Sequence, residues 1–379
     1  MIKTNNQQPE FKYRGMMLDT CRHFFPKDAI KRTISLISQF GGNIFHWHLT
    51  DDQAWRFSVP GYEKCITVAS KRVNNDYKGT LYEGYYTDEE IKEIVDYSIT
   101  CGVTIIPEIE TPGHSTAIIA AYPELGCTGK QIEVETSYGV FNDVLNPASP
   151  AVYTFLDAAI KKLATFFPGD FIHIGGDECP HTQWEESEEI QALMKKEKLK
   201  DTAELQGWIT TKVANLVVKY NKRPIAWDEA LESPNIPQSL VIMNWRQTEL
   251  AIEAARRGHE VIMCPYKNSY LDYSCYKSNL ECGNLSVATV KDFYSIPLYP
   301  EGLKEEERKF ILGGQANLWT EKVENMRQAE YLMFPRLIAY FEALTNYSKR
   351  DWEEFKSHKR EILHELIDSN ISCYPGEWE

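Results

Sequence analysis

Hydrophobic residues gather along this chain in short β-rich runs that are mostly continuous rather than alternating, the pattern of parallel strands covered on both faces. In order they are GMMLD from Gly15, NIFHWHL from Asn43, VTIIPEIE from Val103, FIHIGG from Phe171, RPIAW from Arg223, SLVIMNW from Ser239, EVIMCPY from Glu260 and KFILGGQANLW from Lys309. Between them the apolar spacing becomes helical. Residues 27–40 stop at Gly41-Gly42, a C-terminal helix signal. Thr87 and Glu90 have the form of a capping box opening a helix through Ile99. Ser149-Pro150 starts another that reaches Phe166, with Ser as N-cap and Pro at the first helical position. Residues 202–220, 248–257 and 326–344 supply others.

Strand and helix alternating eight times predict an α/β fold, a (β/α)8 TIM barrel, rather than an open doubly wound sheet. One crossover departs from the scheme. Between Trp227 and Val241 there is too little chain for a full helix, so the connection after strand 5 is expected to be degenerate. The expected layout is a tail over 1–12, the barrel over 13–345, and over 346–379 a terminal helix packed on it through Trp352, Phe355, Ile362, Leu363 and Leu366.

At 379 residues and 43% hydrophobic, the chain is long enough for a large core. The net charge of −14 and the lack of a Lys/Arg-rich block make nucleic acid and anionic membrane poor partners. No run approaches about twenty apolar residues, and the polar start does not read as a secretion signal. The nine cysteines include no Cys-x-x-Cys and read as reduced thiols. A cytoplasmic location is expected for the chain as it stands, and a secreted or periplasmic one if its beginning was trimmed. A homodimer is left open.

In such a barrel the chemistry sits at the C-terminal strand ends. Arg22 follows the first run, Asp51-Asp52 the second, Glu110 and His114 the third, and Asp177-Glu178 end the fourth. Trp227-Asp228, Trp245-Arg246, Tyr270 with Asp272, and Trp319 with Glu321 follow the rest. Each has a bland reading: a Gly-Gly-Asp turn at 175–177, a turn cap at Asp51, a surface ion pair at Arg22, a core role for any single Trp. Eight strand ends carrying acids and indoles toward one rim would be costly to a merely structural barrel. Carboxylates that pair with vicinal hydroxyls, and aromatic walls for C–H faces, are what a sugar pocket needs. His46 and His48 with Asp51 raise a metal-dependent hydrolase as a rival, but the last four strand ends add no histidine. No metal or other cofactor is therefore expected, and His46, His48 and His173 are expected to be hydrogen-bonded strand residues.

The stretches YRGMMLDTCRHFFP, NIFHWHLTDDQAWRF, IPEIETPGH, FIHIGGDECP, PIAWDEAL, VIMNWR, YLDY and GGQANLWTE, in that order, resemble the β-N-acetylhexosaminidases of glycoside hydrolase family 20. The resemblance implies an exo-acting retaining enzyme that removes terminal GlcNAc or GalNAc from glycans through participation of the substrate's own 2-acetamido group. It implies Glu178 as general acid/base and Asp177 as the residue that orients the acetamido group. Arg22 and Glu321 would hold the 3- and 4-hydroxyls, Asp272 the 6-hydroxyl and Tyr270 the acetamide oxygen, while Trp227, Trp245 and Trp319 enclose the acetyl methyl. Asp51 and His114 would tune Glu178 from below, with Glu110 where the family usually has Asp. Glu178 is expected to be held partly protonated by burial and by Asp177, and Asp177 to stay ionised. The family commonly carries a small α/β domain before the barrel, for which the residues ahead of Tyr13 are too few. Alternatives are a pocket for a disaccharide unit or a 6-sulfated sugar, and a non-catalytic sugar-binding protein.

Overall fold

All eight strand runs enter one barrel in the computed structural model, which describes residues 8–74 and 79–379. The strands are β1 (Tyr13–Asp19), β2 (Ile44–His48), β3 (Thr104–Glu108), β4 (Phe171–His173), β5 (Arg223–Trp227), β6 (Val241–Asn244), β7 (Val261–Met263) and β8 (Ile311–Leu318). Each is parallel to its neighbour in chain order, and β8 returns to β1 in register from Tyr13 opposite Gly313 to Leu18 opposite Leu318, closing the ring. β3 and β4 pair only at Glu108 opposite His173.

The unbroken hydrophobicity of these strands follows from burial on both faces. In β2, Phe45 and Trp47 join the large core between barrel and helices, whereas Ile44 joins a separate cluster inside the barrel with Tyr13, Ile106, Ile225, Trp227, Val241, Met243 and Ile262. Alternation places His46 and His48 on that interior side too. Tyr13 Oη donates to Gln315 Oε1 (2.6 Å), and Gln315 Nε2 to His46 Nδ1 (2.9 Å), so these three polar side chains inside the barrel pair with one another.

The helices begin where their signals stand. α1 (Lys27–Gln39) ends before Gly41, which takes φ +94°. α2 (Asp88–Thr100) opens with the capping box: Glu90 N donates to Thr87 Oγ1 (3.2 Å) and Thr87 N to Glu90 Oε2 (3.0 Å). α3 (Pro150–Phe166) has Pro150 at its first position, but the Ser149 hydroxyl does not cap it and donates to Glu124 O instead (3.4 Å). α4 (Thr202–Lys219) and α5 (Thr248–Arg256) complete the regular crossovers. After β5 the chain makes only a 3-10 turn, Asp228–Glu232, the degenerate connection that its length requires.

Three expectations need correction. The helix expected over 326–344 is two, α6 (Met326–Met333) and α7 (Arg336–Thr345), because Pro335 has no N–H to continue the first. The single terminal helix is likewise two, α8 (Trp352–Ser357) and α9 (Lys359–Asp368), followed by a segment whose Trp378 is buried against Phe355 with ring centroids 5.7 Å apart. The tail over 1–12 is packed where it is described: Phe11 is buried 5.5 Å from both Tyr299 and Tyr347, and Glu10 N donates to Thr345 O (3.0 Å). Residues 1–7 lie outside the described residues.

β4 is short because Gly175 (φ +68°) and Gly176 (φ +111°) turn the chain at once toward Asp177. A Cβ on Gly175 would stand 1.9 Å from Glu110 Oε2, whereas one on Gly176 would meet nothing closer than Ala226 Cβ at 3.9 Å. Gly175→Ala is therefore expected to cost about 3–5 kcal/mol of stability, from backbone strain and overpacking together, and Gly176→Ala about 1–2 kcal/mol from strain alone. Denaturant unfolding of the two variants checks this, and equal losses would show that the Glu110 contact does not decide.

Candidate active site

The C-terminal strand ends open into one cavity of about 260 Å³. Arg22, His114, Asp177, Glu178, Trp227, Trp245, Tyr270, Asp272, Trp319 and Glu321 all line it. Asp51 does not; it lies buried beneath, holding Arg22 rather than facing the cavity. Tyr273, the last residue of the YLDY stretch, lines it as well, and so does Asn284, which had no sequence signal; both lie in the connection after β7. The Asn284 amide donates to Asp272 Oδ2 (2.6 Å).

One side of the cavity is aromatic. Trp227 and Trp319 have centroids 6.1 Å apart, Tyr270 lies 6.3 Å from Trp319, and Trp245 stacks on Tyr270 at 6.3 Å and 18°. The other side is charged. The Arg22 guanidinium is fixed by Asp19 (3.3 Å), Asp51 (3.0 Å) and Gln53 (2.9 Å), lies 5.1 Å over the Trp319 ring, and has Glu321 at 3.8 Å. Burial opposes its charge, yet these carboxylates hold its pKa well above the ordinary value.

Beneath the aromatic side lies Glu108, an acid that the sequence reading passed over. It is fully buried and faces His46 Nε2 (2.9 Å), His48 Nδ1 (2.5 Å) and His173 Nδ1 (2.6 Å), and it accepts the Trp227 indole N–H (3.0 Å). The three histidines are thus hydrogen-bonded strand residues, as the sequence suggested. Burial works against charge on His48, but Glu108 and Asp51 push it up to about 10, whereas burial takes His46 down to about 4. His48 Nε2 meets Asp51 Oδ2 (2.8 Å), so Trp227, Glu108, His48, Asp51 and Arg22 form one continuous chain of polar contacts.

A second branch reaches the adjacent acids. His114 Nδ1 is tied to Asp52 Oδ2 (2.9 Å), and its Nε2 lies 3.6 Å from Asp177 Oδ2 and 3.5 Å from Glu178 Oε2. Asp52 is anchored in turn by the Thr116 N–H (3.0 Å) and hydroxyl (2.6 Å). Gly113 makes the approach possible, since a Cβ there would press on Asp177 O and Cys179 Cα, both at 3.2 Å. His114 (φ +47°) and Glu178 (φ +46°) both occupy the left-handed region, an unfavourable conformation for side-chain-bearing residues that clusters at functional sites.

The two acids shift in directions opposite to those expected. Glu178 is held below the ordinary carboxyl value, chiefly by His114, and its side chain is 44% exposed. Asp177 is raised, chiefly by burial, with Glu108 and Glu178 adding to it against the pull of His114. For Glu178 the cause is the charge on His114: burial disfavours that charge, but Asp51 and Asp177 raise the ring's pKa well above 6.5, leaving a cation beside both acids. Glu110 is buried against Gly175 with Oε1 3.9 Å from His48 Nδ1, and its pKa is raised by burial, Asp177 and Glu108.

Residues 11–346 match the model of the glycosyl hydrolase family 20 catalytic domain. The chain belongs to this family. It is 38% identical over 353 residues to a beta-hexosaminidase of Porphyromonas gingivalis, covering 92% of this chain and 45% of that protein, and 37% identical to one of Vibrio furnissii, covering 87% and 56%. The chain thus spans about half the length of these curated relatives. Among solved structures, the exo beta-N-acetylglucosaminidase of Vibrio harveyi in complex with N-acetylglucosamine is similar with a TM-score of 0.89 at 33% identity, covering 98% of this chain and 60% of that one. A Streptomyces plicatus beta-hexosaminidase mutant in complex with GlcNAc has a TM-score of 0.83 at 30% identity, covering 98% and 71%.

The charge on His48 has a consequence for stability. Its folded pKa, about 10, exceeds the unfolded value of about 6.5. Its contribution is therefore complete below about 6.5 and is lost as pH rises through about 10. Between pH of about 8 and about 10 the unfolding free energy is expected to fall by up to about 1.4 kcal/mol per pH unit on account of this group. Urea titrations should show a shallower slope for His48→Asn, and equal slopes would reject the assignment.

Proposed function

We propose that the chain is an exo-acting, retaining β-N-acetylhexosaminidase that hydrolyses terminal GlcNAc or GalNAc residues with the help of the substrate's 2-acetamido group. One observation carries the reading: Asp177 and Glu178 leave the same strand end with His114 within 3.6 Å of both, and the cavity beside them is walled by Trp227, Trp245, Tyr270 and Trp319. Two-carboxylate glycosidases use acids that flank the scissile bond, whereas an acetamido carbonyl that attacks the anomeric carbon replaces the second flanking acid. Asp177 then orients the acetamide N–H and balances the charge of the oxazolinium ion. Glu178 protonates the departing glycosidic oxygen and afterwards takes a proton from the water that opens the ring, so configuration is retained.

His114 suits both tasks. As a cation between the acids it holds Asp177 in place, and a sugar seated over the exposed Glu178 carboxyl would bury it and raise its pKa toward that of a working acid. Arg22 and Glu321 on one side, and Asp272 with Asn284 on the other, offer bonds to ring hydroxyls. The aromatic recess gives the acetyl methyl an apolar seat and brings its carbonyl oxygen into attacking position.

The purified chain is expected to cleave the 4-nitrophenyl β-glycoside of N-acetylglucosamine and to leave that of glucose intact, with no change on adding EDTA. Glu178→Gln should lower kcat by about 10²–10⁴-fold on a substrate with a poor leaving group. Equal cleavage of both glycosides would point to an enzyme nucleophile, and near wild-type turnover of Glu178→Gln would remove Glu178 from the reaction.

A further inference from the structure

The 3-10 turn that replaces a helix after β5 carries three acids, Asp228, Glu229 and Glu232, and all face the end of β6. Asp228 is completely buried and accepts from Asn244 Nδ2 (2.6 Å), Trp245 N (3.0 Å), Arg246 N (3.1 Å) and Arg246 Nε (2.5 Å). Glu232 takes the outer arm of the same guanidinium, Nη1, at 2.7 Å. Arg246 is therefore engaged by Asp228 and Glu232, and Glu229 is left with Arg246 Nε at 3.8 Å.

What Glu229 does hold is an indole. Both its oxygens accept from Trp245 Nε1, at 3.2 and 3.1 Å. Its side chain is only 10% exposed, and burial together with Asp177 and Asp228 pushes its carboxyl up to about 8. Ionising a carboxyl here is unfavourable, so these surroundings hold it toward its neutral form. Its placement is explained by the ring it fixes: Trp245 lines the cavity, stacked on Tyr270, and forms the outer part of the aromatic recess.

We propose that Glu229 is a positioning residue that locks the Trp245 indole in place and so limits the length of the N-acyl group that the recess accepts. The inference rests on the reading of that recess as the seat of the substrate's acyl group. With the indole N–H bound to Glu229, swinging the ring away to admit a longer chain would break both contacts of this part-buried donor. One methylene in an apolar pocket is worth about 10- to 200-fold in kcat/KM, which sets the scale of the effect.

The test uses the full chain with Glu229→Ala and Glu229→Gln, and the 4-nitrophenyl β-glycosides of N-acetyl- and N-propanoylglucosamine. Glu229→Ala is expected to lose about tenfold of the preference for acetyl over propanoyl, through a raised KM for the acetyl substrate with kcat less changed. Glu229→Gln keeps a carbonyl acceptor for the indole and is expected to restore the preference. An unchanged ratio in Glu229→Ala, or no rescue by Gln, would overturn the proposal. A second readout needs no turnover: the Trp245 indole N–H signal in proton–nitrogen spectra, assigned by its loss in Trp245→Phe, should move upfield in Glu229→Ala and stay in Glu229→Gln. Wild-type protein that cleaves neither glycoside would sink the hexosaminidase reading, and an indole signal indifferent to Glu229→Ala would sink this one.

Discussion

A single carboxylate inside the barrel organises the rest of the site. Glu108 sits fully buried among His46, His48 and His173 and beneath the Trp227 indole, at the one position where β3 and β4 pair. An ion buried in that way is tolerable only when its partners are fixed and complete. Its charge draws a proton onto His48, His48 meets Asp51, and Asp51 holds Arg22 at the rim. A group that never faces the cavity therefore orients an aromatic ring at the floor and a guanidinium at the mouth.

The barrel supplies rigidity, and the turns at its rim supply the unusual geometry. Two residues with side chains, His114 and Glu178, are kept in left-handed conformations that each cost about 1–3 kcal/mol. They persist because the surroundings leave no alternative: Asp52 fixes His114 from one side, Gly113 lets its loop lie against the backbone of 177–179, and the glycine pair before Asp177 swings the chain out of β4 at once.

Most of this was legible from the order of residues, and the rest was not for identifiable reasons. The eight strands could be read because both of their faces are buried, and the rim residues because strand ends come in order around a barrel. Pro335 was a visible helix breaker inside residues 326–344, and its effect was underestimated. Glu108 left a trace, an acid within the apolar run VTIIPEIE, but its role exists only once four strands bring their side chains together. Asn284 left none, since the connection after β7 has no period to follow. The protonation of Asp177 and Glu178 depends on where one imidazole ring points, and no spacing encodes that.

That shared ring also determines how the two acids can vary. With one His114 nitrogen about equally far from both carboxylates, proton affinities in this trio belong to the group and not to its members. A pH–rate profile would report macroscopic constants that no single residue owns. Substitutions at the three positions would be epistatic, the effect of each depending on what stands at the other two. Drift at any one of them alone would be penalised through its partners, so the acid, the orienting carboxylate and the histidine are free to change only together.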